Sequence, residues 1–228
     1  MDNETILYII RHGESEGNIS GKFNGTTDLP LDEKGIKQAE ALRSVISDID
    51  FDVVYSSNLK RAFQTAELSI NDTAVKISIV KDIREINGGE WEGTAWEDIP
   101  RRWPDVFHHW VNEPGNLQMP KGESMIEFSN RCISAYQRII SENKGKTILT
   151  YSHGTVIKVM QVYFMKKELN DMSSILWHEN TGIFCVAIDK DGYKIMKEND
   201  ISHLPPELKM KRDVSWYKEE KAKIKNIE

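Results

Sequence analysis

The period of the apolar positions changes several times along the chain, and each change marks an element. Residues 5–10, TILYII, form an unbroken β-branched and aromatic run ended by a polar turn, which predicts a strand buried on both faces. After the extended Leu29-Pro30-Leu31, Asp32 stands as the N-cap of a helix whose apolar face carries Ile36, Ala39, Leu42, Val45 and Ile46. Residues 51–55 read as a second strand, and Asn58 as the opening of a helix with Leu59, Ala62, Phe63 and Ala66 inward. Alternation over 75–80 predicts a third, less buried strand. Residues 81–122, rich in Gly, Pro and Trp, predict an irregular insertion with one or two short helices.

Ser124-Met125-Ile126-Glu127 is a capping box ahead of a long amphipathic helix carrying Phe128, Cys132, Ile133, Tyr136, Ile139 and Ile140. Cys132 falls on its apolar stripe and reads as a core thiol. Residues 147–151 predict another buried strand, followed by Ser152-His153-Gly154 and an apolar helix to Phe164. Residues 182–188 and 193–196 flank Asp191-Gly192, a hairpin signal. Strands alternating with helices imply an α/β fold: a three-layer α/β/α sandwich, its sheet mostly parallel with an antiparallel edge. The expected division is a catalytic domain over 1–204, with 86–122 as an insertion or lid over the site, and a charged tail over 205–228. In that tail Trp216, Tyr217, Ile224 and Ile227 favour some packing.

Totals narrow the class. A length of 228 residues suits one large α/β domain. A net charge of −6 argues against nucleic acid and anionic membrane as partners, so an anionic small molecule would need a local cationic pocket. The N-terminus has no basic segment leading into an apolar core, and no run approaches the length of a membrane span, so a cytoplasmic enzyme is expected. Oligomeric state is left open, with a homo-oligomer possible. Cys132 and Cys185 do not make a disulfide framework. The nucleotide-binding patterns G-x-G-x-x-G and G-x-x-x-x-G-K-[ST] are missing. His108-His109, adjacent in sequence, does not suit one metal ion, and His178 and His203 lack ligand spacing.

Two strands end alike: Ile10-Arg11-His12-Gly13 and Tyr151-Ser152-His153-Gly154. In an open α/β sheet, ligands bind beyond the carboxyl ends of the strands. Neighbouring strands would therefore point both imidazoles into one pocket. Arg61, in "SSNLKRAFQTA", falls in the first turn of a helix that starts at the same end of the sheet, a position suited to an oxyanion.

Arg-His-Gly-Glu-Ser near the N-terminus, Ser57-x-Leu59-x-Arg61-Ala62-x-Gln64-Thr65, Glu85 before Gly89-x-Trp91-Glu92-Gly93, and the late Ser-His-Gly together resemble the histidine phosphatase superfamily, which includes cofactor-dependent phosphoglycerate mutases. The resemblance runs from about residue 5 to about residue 200. It implies that His12 attacks phosphorus and carries a phosphohistidine, with Arg11, Arg61 and His153 around the transferring group. Glu85 would protonate the leaving alkoxide and later activate water. Asn18, Asn24 and the Gly154 N–H would contact phosphate oxygens. No cofactor or metal is implied.

Family mutases follow the acid with R-H-Y-G and carry a later arginine pair. Here Ile86-Asn87-Gly88-Gly89 follows Glu85, and Arg101-Arg102 fall early. A metal-independent phosphatase acting on a small phosphorylated metabolite is therefore expected, with a mutase, or a phosphate-binding protein without turnover, as alternatives. Trp91, Trp96, Trp103 and Trp110 would either line a lid for ring-bearing substrates or anchor the insertion.

Overall fold

The first apolar run becomes β1 (Thr5–Arg11), and its side chains alternate between two cores. Leu7 and Ile9 face one, Tyr8 and Ile10 the other, as a strand buried on both faces requires. In the computed structural model, which describes residues 4–210, five further strands join it. They are β2 (Val53–Ser56), β3 (Ile77–Ile79), β4 (Thr147–Ser152), β5 (Ile183–Asp189) and β6 (Gly192–Asp200). The sheet order is β3-β2-β4-β1-β5-β6. The first four of that series run parallel, and the β5–β6 hairpin closes the edge antiparallel to β1.

Helices cover both faces. The short α1 (Glu16–Ile19) follows β1. α2 (Glu33–Ile46) and α3 (Lys60–Ile70) press Leu42, Ile46 and Ala66 onto Ile10, Val54, Leu149 and Tyr151. The insertion holds α4 (Ile99–Arg102) and α5 (Pro104–Asn112). α6 (Met125–Glu142) and α7 (Gly154–Phe164) pack Phe128, Cys132, Tyr136 and Ile157 around Leu7, Ile9 and Phe184. The capping box of α6 forms in full: Glu127 N–H donates to Ser124 Oγ at 3.1 Å, and Ser124 N–H to Glu127 Oε2 at 2.9 Å.

Local details differ from the sequence expectation. Ile36 is 39% exposed rather than buried. The inward face of α2 begins instead at Gly35 and Gln38, which meet the loop after β1. A Cβ on Gly35 would come within 1.8 Å of Glu14 O, so only glycine allows this contact. Gln38 Oε1 accepts Glu14 N–H at 2.7 Å. α3 begins at Lys60 rather than Asn58: Leu59 is the N-cap in extended backbone, and the first helical N–H, that of Lys60, donates to Asp28 Oδ1 at 2.7 Å.

The segment 81–122 is more than a loop. Its Trp91, Ile99, Phe107, Val111, Leu117 and Met119 belong to the same buried cluster as α6 and α7. The start of the expected tail folds back: Gln38 Nε2 donates to Leu208 O at 2.7 Å, and Met210 N–H to Glu179 Oε2 at 2.9 Å. Trp216, Tyr217, Ile224 and Ile227 lie outside the described residues. No helix among the described residues is long and apolar enough to cross a membrane.

His178, just before β5, is 2% exposed and packs edge-on to Phe184, and among the described residues neither ring nitrogen has a hydrogen-bond partner. Burial, then the charges of Arg11 and Lys158, push its pKa down to about 3. The unfolded chain protonates this ring near its ordinary value of about 6.5. The folded value is lower, so this contribution to stability is complete above about pH 6.5 and shrinks as pH falls, at roughly 1.4 kcal/mol per pH unit. Urea unfolding between about pH 7 and about pH 5 should show a shallower loss of stability in His178→Leu than in the native chain. Parallel slopes would show that His178 is not a source of the acid sensitivity.

Candidate active site

Parallel pairing of β1 with β4 sets Arg11 opposite Ser152, so His12 and His153 leave the sheet side by side. His12 N–H donates to Ser152 O at 3.0 Å, and the two imidazole centroids stand 5.2 Å apart. Both rings are buried, at 4% and 0% exposure. Burial, then the charges of Arg61 and Arg11, hold the pKa of His12 well below the ordinary histidine range.

The tautomer of His12 follows from its partners. Nδ1 lies 2.7 Å from Gly13 O, and a carbonyl only accepts, so Nδ1 carries the proton. Nε2 therefore presents a lone pair, and Arg61 Nε–H donates to it at 3.2 Å. The backbone around the ring is fixed as well. Thr65 Oγ1 accepts Gly13 N–H at 2.9 Å, and Asn180 Nδ2 donates to His12 O at 3.0 Å.

Arg61, the second residue of α3, is held by all three arms of its guanidinium. Nη1 donates to Thr27 O at 2.9 Å and Nη2 to Gly25 O at 2.7 Å. The loop supplying those carbonyls is fastened by one carboxylate. Glu92 accepts N–H bonds from Gly25, Thr26, Thr27 and Gly88 at 3.1, 2.8, 3.2 and 3.0 Å.

Arg11 donates through Nη1 to His178 O and to Met210 Sδ, and its buried Nε has no hydrogen-bond partner among the described residues. A guanidinium N–H at this position can donate a charge-assisted hydrogen bond to an anion. Burial pushes Arg11 down to about 10, with Glu85 and Glu179 opposing the fall, so it remains a cation at neutral pH. Glu85, 8% exposed, accepts Ile86 N–H at 2.8 Å and Thr155 N–H, in the first turn of α7, at 3.1 Å. Its backbone is clamped from α6. Arg131 donates to Glu85 O at 2.9 Å, Arg84 O at 2.9 Å and Asp82 O at 2.8 Å. The same guanidinium pairs with Glu123 at 2.6 Å, and Glu123 in turn accepts Asn87 N–H at 2.8 Å.

One cleft collects most of the expected residues. Arg11, His12, Arg61, Glu85, Asn18, Asn24 and Gly154 all line it. His153 does not; it lies against His12, with Nε2 2.8 Å from Ser57 Oγ and Nδ1 unpartnered. Asn18 Oδ1 accepts Ser15 N–H at 3.0 Å, which leaves its NH2 for an anion. The NH2 of Asn24 is already used, on Gly17 O, Ser20 Oγ and Lys22 O at 3.0, 3.1 and 2.9 Å, so it shapes its own turn. Of the insertion tryptophans, Trp96 and Trp110 line the cleft; Trp91 is wholly buried and Trp103 packs on the core. Sequence reasoning missed Trp177, Thr155, Asn180 and Arg131, and it quoted Ser57 without giving it a role. Thr65 stood inside the Gln64-Thr65 motif and could have been read as a support for Gly13. Among the described residues, no group of three or more His, Cys, Asp or Glu side chains is placed to hold a metal ion.

Residues 7–201 match the model of the histidine phosphatase superfamily (branch 1). Phosphoserine phosphatase 1 of Hydrogenobacter thermophilus is 31% identical over 87% of this chain and 93% of its own. The adenosylcobalamin/alpha-ribazole phosphatase of Escherichia coli is 28% identical over 75% of this chain and 83% of its own. The solved structure of Bacillus stearothermophilus YhfR superposes with a TM-score of 0.83 at 30% identity, covering 87% of this chain and 98% of that one. With the match spanning nearly the whole described fold, the chain belongs to the histidine phosphatase superfamily.

Proposed function

We propose that this cleft hydrolyses phosphate monoesters of small metabolites without a metal, with Nε2 of His12 as the nucleophile. The observation that carries this is the neutral imidazole, with its lone pair toward the Arg61 guanidinium and with Arg11 close enough to lower its pKa further. The same cations that bind an anion keep the nucleophile unprotonated. A phosphate dianion entering the cleft would meet the Nε–H of Arg11, the Arg61 guanidinium, the NH2 of Asn18 and the N-terminus of α7 at Gly154.

In the first step the His12 Nε2–P bond forms and the P–O ester bond breaks. The leaving oxygen takes the proton of Glu85, which releases a neutral alcohol. In the second, water attacks phosphorus, Glu85 recovers a proton from it, and the P–N bond breaks. Inorganic phosphate leaves, and both side chains return to their starting state. His153 acts through contact: its ring packs on His12 and its hydrogen bond to Ser57 fixes its plane. The segment 86–122 covers the leaving-group side of the cleft through Ile86, Trp96 and Trp110.

The mutase alternative has little support at the cleft. Arg101 is exposed and pairs with Asp98, while Arg102 lies over Trp103; neither lines the cleft. Two buried free thiols suit the reducing cytoplasm, where we place the enzyme. Relatives acting on phosphoserine and on α-ribazole phosphate mark the range of metabolite esters open to the site.

His12→Ala should lower turnover of every phosphate ester by at least about a thousandfold. Residual activity within about tenfold of the native enzyme would remove the nucleophile assignment. Glu85→Gln should slow single-turnover cleavage of alkyl phosphates far more than of an aryl phosphate whose leaving group needs no proton. Equal losses would argue against Glu85 as the acid. Arg131→Met, by releasing the backbone at Glu85, should lower the alkyl-to-aryl rate ratio in the same direction but by a smaller factor. A uniform loss across both substrates would make Arg131 a stabilising residue only.

A further inference from the structure

The turn before β5, residues 178–182, binds the tip of β1. Arg11 N–H donates to Gly182 O at 3.1 Å, and the Arg11 guanidinium donates to His178 O. The turn is anchored to β6, where Asn199 Oδ1 accepts Glu179 N–H at 3.1 Å. In its middle stands Asn180, at 1% exposure. His12 O and Asn18 Oδ1 lie 3.0 and 3.5 Å from Asn180 Nδ2. A carbonyl only accepts, and the Ser15 N–H already marks Asn18 Oδ1 as the oxygen of that amide. Asn180 therefore turns its nitrogen toward both. The two hydrogens of one NH2 group serve the backbone of the nucleophile and a side chain that faces the phosphate.

The consequence of the first bond can be traced. The His12–Gly13 peptide is gripped on both sides. Its oxygen accepts from Asn180 Nδ2 and, at 3.3 Å, from Thr181 N–H; its nitrogen donates to Thr65 Oγ1 at 2.9 Å. That peptide leads to Gly13 O, which accepts the Nδ1 proton of His12 at 2.7 Å. Gly13 has no side chain to fix it, and a Cβ there would lie 2.6 Å from Gly35 O. Release of the peptide would let Gly13 O leave Nδ1 and let the ring swing. The second bond holds Asn18 with its NH2 toward the cleft. The turn is also strained. Thr181 has φ +58°, which a β-branched residue seldom adopts. Its hydroxyl donates to Asn180 O at 2.7 Å and accepts from His203 Nε2 at 3.0 Å, which holds it there. Strain retained beside an active-site side chain fits a turn shaped for function.

We infer that Asn180 is a positioning residue, whose single NH2 group aligns the nucleophile His12 and the phosphate-binding Asn18 together. It does not itself line the cleft. The inference rests on the phosphatase reading above and adds to it a residue that acts through two others.

Asn180→Leu, close in shape but without N–H groups, tests it, with Asn180→Ala as a second variant should the first not fold. Single-turnover cleavage should fall by about thirtyfold for alkyl and aryl phosphates alike, because Glu85 is untouched. Inorganic phosphate should bind about threefold more weakly in calorimetric titration, through the loosened Asn18. In spectra of the full chain with 15N-labelled histidine, the Nδ1 proton of His12 is assigned by its loss in His12→Ala. In the Asn180 variants it should exchange with water at least about tenfold faster than in the native chain. A merely structural role would lower the melting temperature and leave that proton unmoved in the folded protein. Rates within about twofold of native, or a rate loss with the Nδ1 proton unchanged, would overturn the assignment. A native chain that cleaves no ester, with the Nδ1 proton still freed in the variants, would refute the phosphatase reading and leave the positioning role standing.

Discussion

The parallel contact between β1 and β4 governs everything at the site, because it fixes where two chain segments far apart in sequence leave the sheet. With Arg11 paired to Ser152, the next residue of each strand is a histidine, and the two rings have no choice but to meet. A slip of β1 by one residue against β4 would send His12 to the other face, away from His153. Register is secured by the apolar alternation of β1, whose two faces are buried in different cores. Packing far from the cleft therefore sets the geometry of the chemistry.

The cationic side of the cleft is built at some cost. Arg11 and Arg61 are nearly inaccessible, at 7% and 3% exposure, and burial depresses both of their pKa values. Removing a guanidinium from water without partners is strongly unfavourable, which explains why every arm of Arg61 has an acceptor. For Arg61 those acceptors are carbonyls of the 25–27 loop, and that loop is tied down by Glu92. The chain of dependence runs from Glu92 to the loop, from the loop to Arg61, and from Arg61 to His12. It assigns a purpose to the glutamate in Gly89-x-Trp91-Glu92-Gly93, which never touches the nucleophile. An acidic protein of net charge −6 thus keeps a cationic centre by spending carboxylates on its scaffold.

Much of the fold could be read from periodicity, since buried strands and amphipathic helices leave a repeat in the sequence. The paired His-Gly ends could be read for the same reason: each closes an unmistakable apolar run. Ile36 and Asn58 were misread because their neighbours decide. Gly35 lets the loop after β1 approach α2, and α3 starts only at Lys60, with Leu59 rather than Asn58 as its N-cap. Trp177 and Asn180 could not have been found this way. They sit in an aperiodic stretch before β5, and their roles depend on contacts with segments distant in sequence, Asn180 with the His12 carbonyl and Trp177 with Trp110. Arg131 looked like an ordinary polar position on α6; only the fold shows the three carbonyls it gathers.

The two halves of the cleft are made from different kinds of structure, and this bears on how specificity can change. His12, the arginines and the α7 N-terminus come from strand tips and helix starts, which the sheet positions. Trp96 and Trp110 come from the insertion and Trp177 from the segment before β5, where backbone geometry is set by side-chain packing rather than by a hydrogen-bonded ladder. Replacing those rings alters what flanks the leaving group while the register of β1 and β4 stays untouched. The insertion is not free to vary as a whole, however. Trp91, Ile99 and Phe107 are part of the core that supports α6, and α6 holds Glu85 through Arg131. Change in substrate preference is thereby confined to the few insertion residues that face the cleft, and the acid's position constrains the rest.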